Sequence, residues 1–325
     1  MQTKVHRPTP ANLRRLARVL RRGGLVAIPT ETVYGLAAHA LDAAACREIF
    51  RAKGRPAHDP LIVHVLDLAQ AEQLAEFNPA ARRLARRFWP GPLTLVLPKK
   101  AGVPGVVTSG GPTVALRSPS HPLARRLLRA ARVPLAAPSA NRFGYISPTS
   151  AEHVATGLAG RIAHVLDGGK CPIGVESTIL DLTKPARPRI LRPGAITADE
   201  LAGFLGRPVA TGRRIGRGRK RLLAPGMLAK HYSPRTPLRL LRSVEEIPAD
   251  VALVRLRQPA GRTAPNIFWL SRRGQLAEIA RHLYRVLRAA DAGGFREIRI
   301  EPLPPGAGGL ADAIADRLKR AMARG

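Results

Sequence analysis

Aromatic side chains make up 4% of these 325 residues, so aliphatic side chains and alanine must fill most of the interior. Cysteines number two. Cys46 and Cys171 stand far apart, and neither belongs to a Cys-x-x-Cys or His-x-x-Cys pattern. That argues against a zinc site or a disulfide framework and leaves both as small apolar residues. No run of about 18 uncharged apolar residues is present, and His6-Arg7-Pro8 interrupts any apolar stretch at the N-terminus. A soluble cytoplasmic protein with no membrane partner is the expectation. Gly-x-x-x-x-Gly-Lys-Ser/Thr, Gly-x-Gly-x-x-Gly after a strand, His-Glu-x-x-His and Gly-x-Ser-x-Gly are all missing, so the common nucleotide and hydrolase frameworks have no support. Acidic residues are few as well: 22 Asp and Glu face 54 Lys and Arg, a formal charge of +32. Such an excess suits RNA or nucleotide phosphates, yet an Arg- and Ala-rich composition from a GC-rich genome gives the same number.

What is present is a globular composition, 45% hydrophobic. The length suits about two domains of roughly 150 residues. Residues 12–22 set Leu13, Leu16, Ala17 and Leu20 at helical spacing and stop at Gly23-Gly24. A short buried strand at 25–28 follows. The alternation continues with a helix at 43–52, a strand at 61–66, a helix at 80–88, strands at 93–97 and 113–116, a helix at 122–131 and a strand at 133–137. A helix after Thr149 and strands near 162–166 and 178–182 complete it. This predicts an α/β domain over 1–205, with polar loops at strand ends as ligand sites. Residues 206–237 are rich in Gly, Arg and Pro and include the basic run 213–221, so they read as an interdomain linker. A second alternation over 238–325 predicts a small α/β domain: strands at 238–241, 251–256 and 297–300, and helices at 276–290 and 309–322.

Two short polar words stand out, Lys53-Gly54-Arg55 and Ser139-Ala140-Asn141, each just after an apolar or helical segment. Cations one residue apart suit an oligophosphate, because each neutralises separate oxygens and Arg adds a planar fork of donors. A hydroxyl and an amide at that spacing suit a small polar ligand or a nucleotide edge. Cations at a helix end are also favoured by the helix dipole alone. Pro29-Thr30-Glu31-Thr32-Val33-Tyr34-Gly35-Leu36 follows the first strand and reads either as a small-ligand rim or as a capped turn into a helix. His64 lies among apolar residues, where a satisfied core histidine and a ligand contact are the two readings. Trp89-Pro90-Gly91-Pro92-Leu93-Thr94 reads as a rigid turn. Arg117 ends a buried strand and must be paired; a ligand carboxylate or phosphate is one suitable partner. Val175-Glu176-Ser177-Thr178 and Leu191-Arg192-Pro193-Gly194 repeat that arrangement. No nucleophile with its base is evident.

Taken in order, the segments 28–36, 53–56, Pro60-Leu61-Ile62-Val63-His64, 89–94, Ala137-Pro138-Ser139-Ala140-Asn141 and Gly174-Val175-Glu176-Ser177-Thr178 resemble the L-threonylcarbamoyl-AMP synthase family. Leu191-Arg192-Pro193-Gly194, Ala224-Pro225-Gly226-Met227 and Lys230-His231-Tyr232-Ser233-Pro234 resemble its longer form, which adds a linker and a C-terminal domain. The match spans roughly residues 10–235. The resemblance implies an open, twisted sheet of YrdC-like type whose concave basic face holds the ligands, with a second, smaller Rossmann-like α/β domain. It implies a nucleotidyltransferase that makes L-threonylcarbamoyl-AMP and pyrophosphate from L-threonine, bicarbonate and ATP. The product would pass to threonylcarbamoyl transferase machinery that forms N6-threonylcarbamoyladenosine at position 37 of tRNA, with weak tRNA binding as a companion expectation.

By the same resemblance, threonine would meet Thr32, His64, Arg117, the backbone at Ala137, and Ser177. ATP would meet Lys53, Arg55, Asp59, Thr113, Ser139, Asn141, Ser147 and Arg192, with Tyr232 arriving from the linker. Lys53, Arg55, Ser139 and Asn141 would carry the catalysis. Mg2+ would come with ATP, held largely by phosphates and water, with no dedicated protein site. The chain departs from the family pattern at Asp59, where Asn is frequent, at Leu228-Ala229, and in the density of basic residues at 213–221. Two other readings compete. A non-catalytic double-stranded RNA- or ribosome-binding protein of the same fold would use the basic face for RNA. A carbamoyl-transferring maturation domain would normally bring Cys motifs or extra domains, and this chain has neither.

Overall fold

The computed structural model describes residues 1–212, 224, 231–241, 246–261, 263–304, 306 and 308–323. The basic run 213–221 and Leu228-Ala229 lie outside the described residues. The first part of the chain runs β1 (Lys4–His6), α1 (Pro10–Arg21), β2 (Val26–Ile28), β3 (Gly35–His39), α2 (Ala43–Lys53), β4 (Ile62–His64), α3 (Leu68–Glu72) and α4 (Pro79–Phe88). It continues β5 (Leu93–Pro98), β6 (Thr113–Arg117), α5 (Pro122–Ala131), β7 (Leu135–Ala136), α6 (Ala151–Gly157) and β8 (His164–Leu166). β9 (Thr178–Asp181), β10 (Arg189–Arg192), α7 (Ala198–Leu205) and β11 (Ala210–Thr211) follow. Among the described residues these strands form one mixed sheet in the order β1-β8-β2-β3-β7-β4-β6-β5-β9-β10-β11.

The helices form where caps and apolar faces agree. Thr9 accepts the Asn12 amide ahead of Pro10, and Leu13, Leu16, Ala17 and Leu20 then share one buried face of α1. That face packs with Leu127, Leu128 and Ala131 of α5 against Val26, Ile28 and Leu166. A larger cluster, including Ile49 of α2, Leu84 of α4 and Leu201 of α7, covers the other side. Burying each leucine contributes roughly 2 kcal/mol.

The expected helix–strand alternation matches the described elements in the main, but β1, β3, α3, β10, α7, β11 and a later strand at Ile267–Ser271 were not anticipated. β3 is the informative omission. Its sequence Gly-Leu-Ala-Ala-His carries helix-favouring alanines, yet Val26, Ala27 and Ile28 pair antiparallel with Ala37, Leu36 and Gly35. Tertiary pairing overrides local propensity here. No helix starts at the 29–36 loop, because Thr30 caps its own turn by accepting the amides of Thr32 and Val33. The strand expected at 133–137 shortens to Leu135–Ala136, since Pro134 has no amide to donate. Within the segment read as a linker, β11 pairs with β10, and Ala224, His231 and Tyr232 are buried.

The second sheet is parallel throughout, in the order β12 (Leu238–Leu240), β15 (Glu297–Ile300), β13 (Val251–Arg257), β14 (Ile267–Ser271). α8 (Leu276–Ala292) and α9 (Leu310–Met322) pack on it. Its core of Val254, Leu270, Leu283, Leu287, Ile300 and Ile314 is continuous with Val33, Ile146, Val175 and Tyr232 of the preceding chain. The backbones approach closely at Gly174, with φ +85°, where an added Cβ would lie 2.4 Å from the Arg281 Cα of α8. Only glycine fits that contact.

Candidate active site

The two polar words meet in space. α2 ends on Lys53 because Gly54 takes the left-handed conformation that closes a helix, with φ +63°. The Lys53 Nζ then donates to the Ser139 carbonyl at 2.6 Å, across 86 residues of sequence, and to the Asn141 carbonyl. The Phe143 amide returns a hydrogen bond to the Lys53 carbonyl at 2.9 Å. The Ser139 loop is itself fixed against the first rim: the Leu36 amide donates to the Pro138 carbonyl and the Ala140 amide to the Tyr34 carbonyl. Burial, with Arg55 adding to it, pushes the Lys53 ammonium well below its ordinary value.

Arg55 lies beside this junction, donating through Nε to the Asp59 carbonyl at 3.1 Å and through Nη2 to the Pro60 carbonyl at 2.8 Å. Its guanidinium also pairs with the Asp59 carboxylate at 2.9 Å, with both side chains almost fully buried. Burial raises the Asp59 carboxyl above its ordinary range, and the charges of Arg55 and Lys53 oppose that rise.

Arg117, at the end of β6, forms another corner of the same cavity. Its Nη2 pairs with Glu31 at 2.7 Å, its Nη1 donates to Thr32 Oγ1 at 2.9 Å, and its Nε donates to the Gly91 carbonyl at 3.3 Å. Burial favours the neutral Glu31 carboxyl, but the charge of Arg117 holds it below its ordinary range. His64 faces the same corner. Burial, reinforced by Arg117, lowers its pKa to about 3, so the imidazole is neutral at physiological pH.

The third wall comes from the turn before β9. Ser177 Oγ lies 2.8 Å from Thr94 Oγ1 and accepts from Arg192 Nη2 at 3.0 Å, while Arg192 Nε donates to the Ser177 carbonyl at 3.1 Å. Gly194 permits this packing, because a Cβ there would lie 2.3 Å from the Thr178 amide. Glu176 accepts from Ser147 Oγ at 2.6 Å and from Tyr284 OH at 2.9 Å. Despite burial, the charges of Arg317 and Arg192 hold its pKa at about 2. Tyr232 closes the wall with φ +65°, a left-handed conformation that non-glycine residues adopt rarely.

The cavity between these walls is lined by Thr32, Arg55, His64, Arg117, Ala137, Ser139, Arg192 and Tyr232 among the expected residues. Lys53, Asn141, Asp59, Ser147 and Ser177 stand directly behind that lining, each bonded to a lining residue or to a neighbour of one. Thr113 is apart: it begins β6, whose other end carries Arg117, about 13 Å away along an extended strand. The sequence reading missed Glu31, Glu176 and His231, which face or support the pocket, along with Thr94, Tyr284 and Arg317. Glu31 and Glu176 stood inside quoted motifs, and the rule that a buried Arg must be paired pointed to such carboxylates. Lys53, Arg55, Arg117, Arg192 and Arg317 face Glu31, Asp59 and Glu176, an excess of two positive charges suited to an anionic ligand. No group of three or more His, Cys, Asp or Glu that could hold a metal occurs among the described residues.

Comparison with known proteins places this geometry. The family described as "Telomere recombination" (Sua5, YciO, YrdC) matches residues 18–194, and "Threonylcarbamoyl-AMP synthase, C-terminal domain" matches 196–323. The threonylcarbamoyl-AMP synthase of Pyrococcus abyssi is 42% identical over 95% of this chain and 93% of its own. That of Bacillus subtilis is 41% identical over 94% and 91%. The crystal structure of P. abyssi Sua5 complexed with L-threonine superposes with a TM-score of 0.88 at 40% identity, covering 99% of this chain and 97% of that one.

Proposed function

The chain belongs to the Sua5–YciO–YrdC family in the two-domain form of the threonylcarbamoyl-AMP synthases, and from its site we infer how it joins L-threonine, bicarbonate and ATP into L-threonylcarbamoyl-AMP and pyrophosphate. The product supplies N6-threonylcarbamoyladenosine at position 37 of tRNA through a downstream threonylcarbamoyl transferase. The observation that carries the reading is one cavity lined by Arg55, Arg117, Ser139 and Arg192, with the buried Lys53 bonded to the Ser139 and Asn141 carbonyls behind it.

A guanidinium has five N–H donors. In Arg117 two are donated, to Thr32 Oγ1 and the Gly91 carbonyl, and Nη2 stands in ion-pair contact with Glu31, which together fix the plane and leave N–H groups for the threonine carboxylate. The amine is then free to react with bicarbonate, releasing water and forming a carbamate. A carbamate oxygen attacks the α-phosphorus of ATP, the α–β bridge breaks, and pyrophosphate leaves. Lys53, Arg55 and Arg192 stabilise the charge that moves onto pyrophosphate, while Ser139 and Asn141 hold the nucleotide. No protein nucleophile is required. The neutral His64 adds no charge to the threonine corner.

We assign magnesium to ATP itself, as part of the substrate held by phosphate oxygens and water. No step of the chain's own chemistry is routed through it. The cavity measures about 40 Å³. His231 and Tyr232 line it. We divide the chain into a synthase domain at 1–205, a linker at 206–237 and a small α/β domain at 238–325, and place the activity in the cytoplasm. Among the described residues no helix is long and apolar enough to cross a membrane. Arg55→Ala tests the reading: a folded variant should lose about 100-fold or more in threonine-dependent pyrophosphate release, as removal of a transition-state contact does. Unchanged turnover would contradict it.

A further inference from the structure

The reaction scheme leaves two C-terminal side chains unused, although both reach the cavity wall. Arg317 of α9 is 1% exposed and heads the fully buried side chains by volume. Its Nε donates to Glu176 Oε2 at 2.7 Å, and its guanidinium lies 5.3 Å from the Tyr232 ring centre. Tyr284 of α8 donates to the same oxygen at 2.9 Å and stacks on Tyr232, with ring centres 5.8 Å apart and planes at 28°. Ser147 takes the other carboxylate oxygen. Glu176 and Tyr232 both line the cavity, and Ser177, next to Glu176, is held by Arg192. An apolar core already joins the two parts of the chain. A buried ion pair is a poor adhesive, because desolvation offsets most of its attraction, but it fixes geometry well. Its place at the pocket wall points to a role in the site.

We propose that Arg317 and Tyr284 are positioning residues of the synthase reaction. By holding Glu176 and Tyr232 they order Ser177 and Arg192, so the C-terminal domain completes the nucleotide end of the site. The identity of the substrates rests on the functional reading above; the clamp itself does not.

The test uses the full chain with Tyr284→Phe, Arg317→Lys, Arg317→Met and Glu176→Gln. Calorimetry measures binding of L-threonine and of the ATP analogue with a methylene between its α and β phosphates, alongside KM and kcat for pyrophosphate release. Arg317→Met should weaken analogue binding and raise KM for ATP about 10- to 100-fold, the usual effect of losing a hydrogen bond to a charged group. Arg317→Lys should recover part of that loss. Tyr284→Phe, which keeps the ring, should show about tenfold. In a Glu176→Gln background, Arg317→Met should add less than about twofold, because coupled residues are not additive. A merely structural role would lower the active fraction and kcat while leaving KM and binding unchanged. Folded Tyr284→Phe and Arg317→Lys proteins with unaltered binding and KM, or effects that multiply in the double variant, would overturn the proposal. If the unmodified chain binds both ligands but releases no pyrophosphate, the functional reading fails while the binding comparison still decides the clamp.

Discussion

At the scale of single residues, the site is a set of buried charges, each oriented by a neighbour. Glu31 illustrates this. It neutralises Arg117 and fixes its plane, so Glu31→Gln leaves a buried cation without its counter-charge. The variant should raise KM for threonine by about tenfold or more, as hydrogen bonds to charged groups are lost, with a much smaller change for ATP. Steady-state kinetics with each substrate varied in turn checks this, and equal effects on both would contradict the assignment of Arg117 to the threonine corner. Lys53→Ala should lose most activity while the fold survives, because the Ser139 loop keeps its backbone bonds to Tyr34 and Leu36. Circular dichroism beside the product assay separates the two effects. Asp59 is paired with Arg55, and burial raises its carboxyl above the ordinary range.

At the scale of elements, backbone approaches decide what side chains can do. Gly174→Ala places a Cβ within 2.4 Å of the α8 backbone at a φ of +85°, so both packing and conformation oppose it. It should destabilise the chain by about 2 kcal/mol or more, read as a drop in urea midpoint. A neutral result would mean that α8 does not press on that loop. The long amphipathic helices were legible in the sequence because their apolar stripes repeat, as in α1, α5 and α8. β3 was not, because alanines in a strand pattern read as helix until β2 and β7 are known to flank it. β11 escaped for another reason: two exposed residues join the sheet through backbone alone. The site was legible as motifs but not as contacts. Lys53 bridging to the Ser139 and Asn141 carbonyls is a fact of topology, and so is the arrival of Arg317 and Tyr284 at Glu176.

At the scale of the whole molecule, the buried ionisable groups make stability depend on pH. The unfolded His64 takes up a proton near its ordinary 6.5, whereas the folded value is about 3, so folding opposes protonation. Stability is therefore complete above 6.5 and falls as pH drops, by about 2 kcal/mol at pH 5 from this group. His153, lowered to about 4 chiefly by burial, works in the same direction. Glu176, held at about 2 against an ordinary 4.5, removes further stability below pH 4.5. Asp59 has the opposite sign above its ordinary 3.8 and offsets part of this loss. Urea midpoints should decline from pH 7 to pH 4, and His64→Gln should flatten the portion between 6.5 and 5. The +32 charge has a smaller role than its size suggests, since the site needs only a few of those cations. The central claim is that threonine, bicarbonate and ATP react at one site. The direct measurement follows labelled threonine into product, with pyrophosphate release recorded in the presence and absence of bicarbonate. The account predicts labelled threonylcarbamoyl-AMP and equimolar pyrophosphate only when all three substrates are present. A folded protein that releases no threonine-dependent pyrophosphate, yet binds RNA with steep salt dependence, would contradict it.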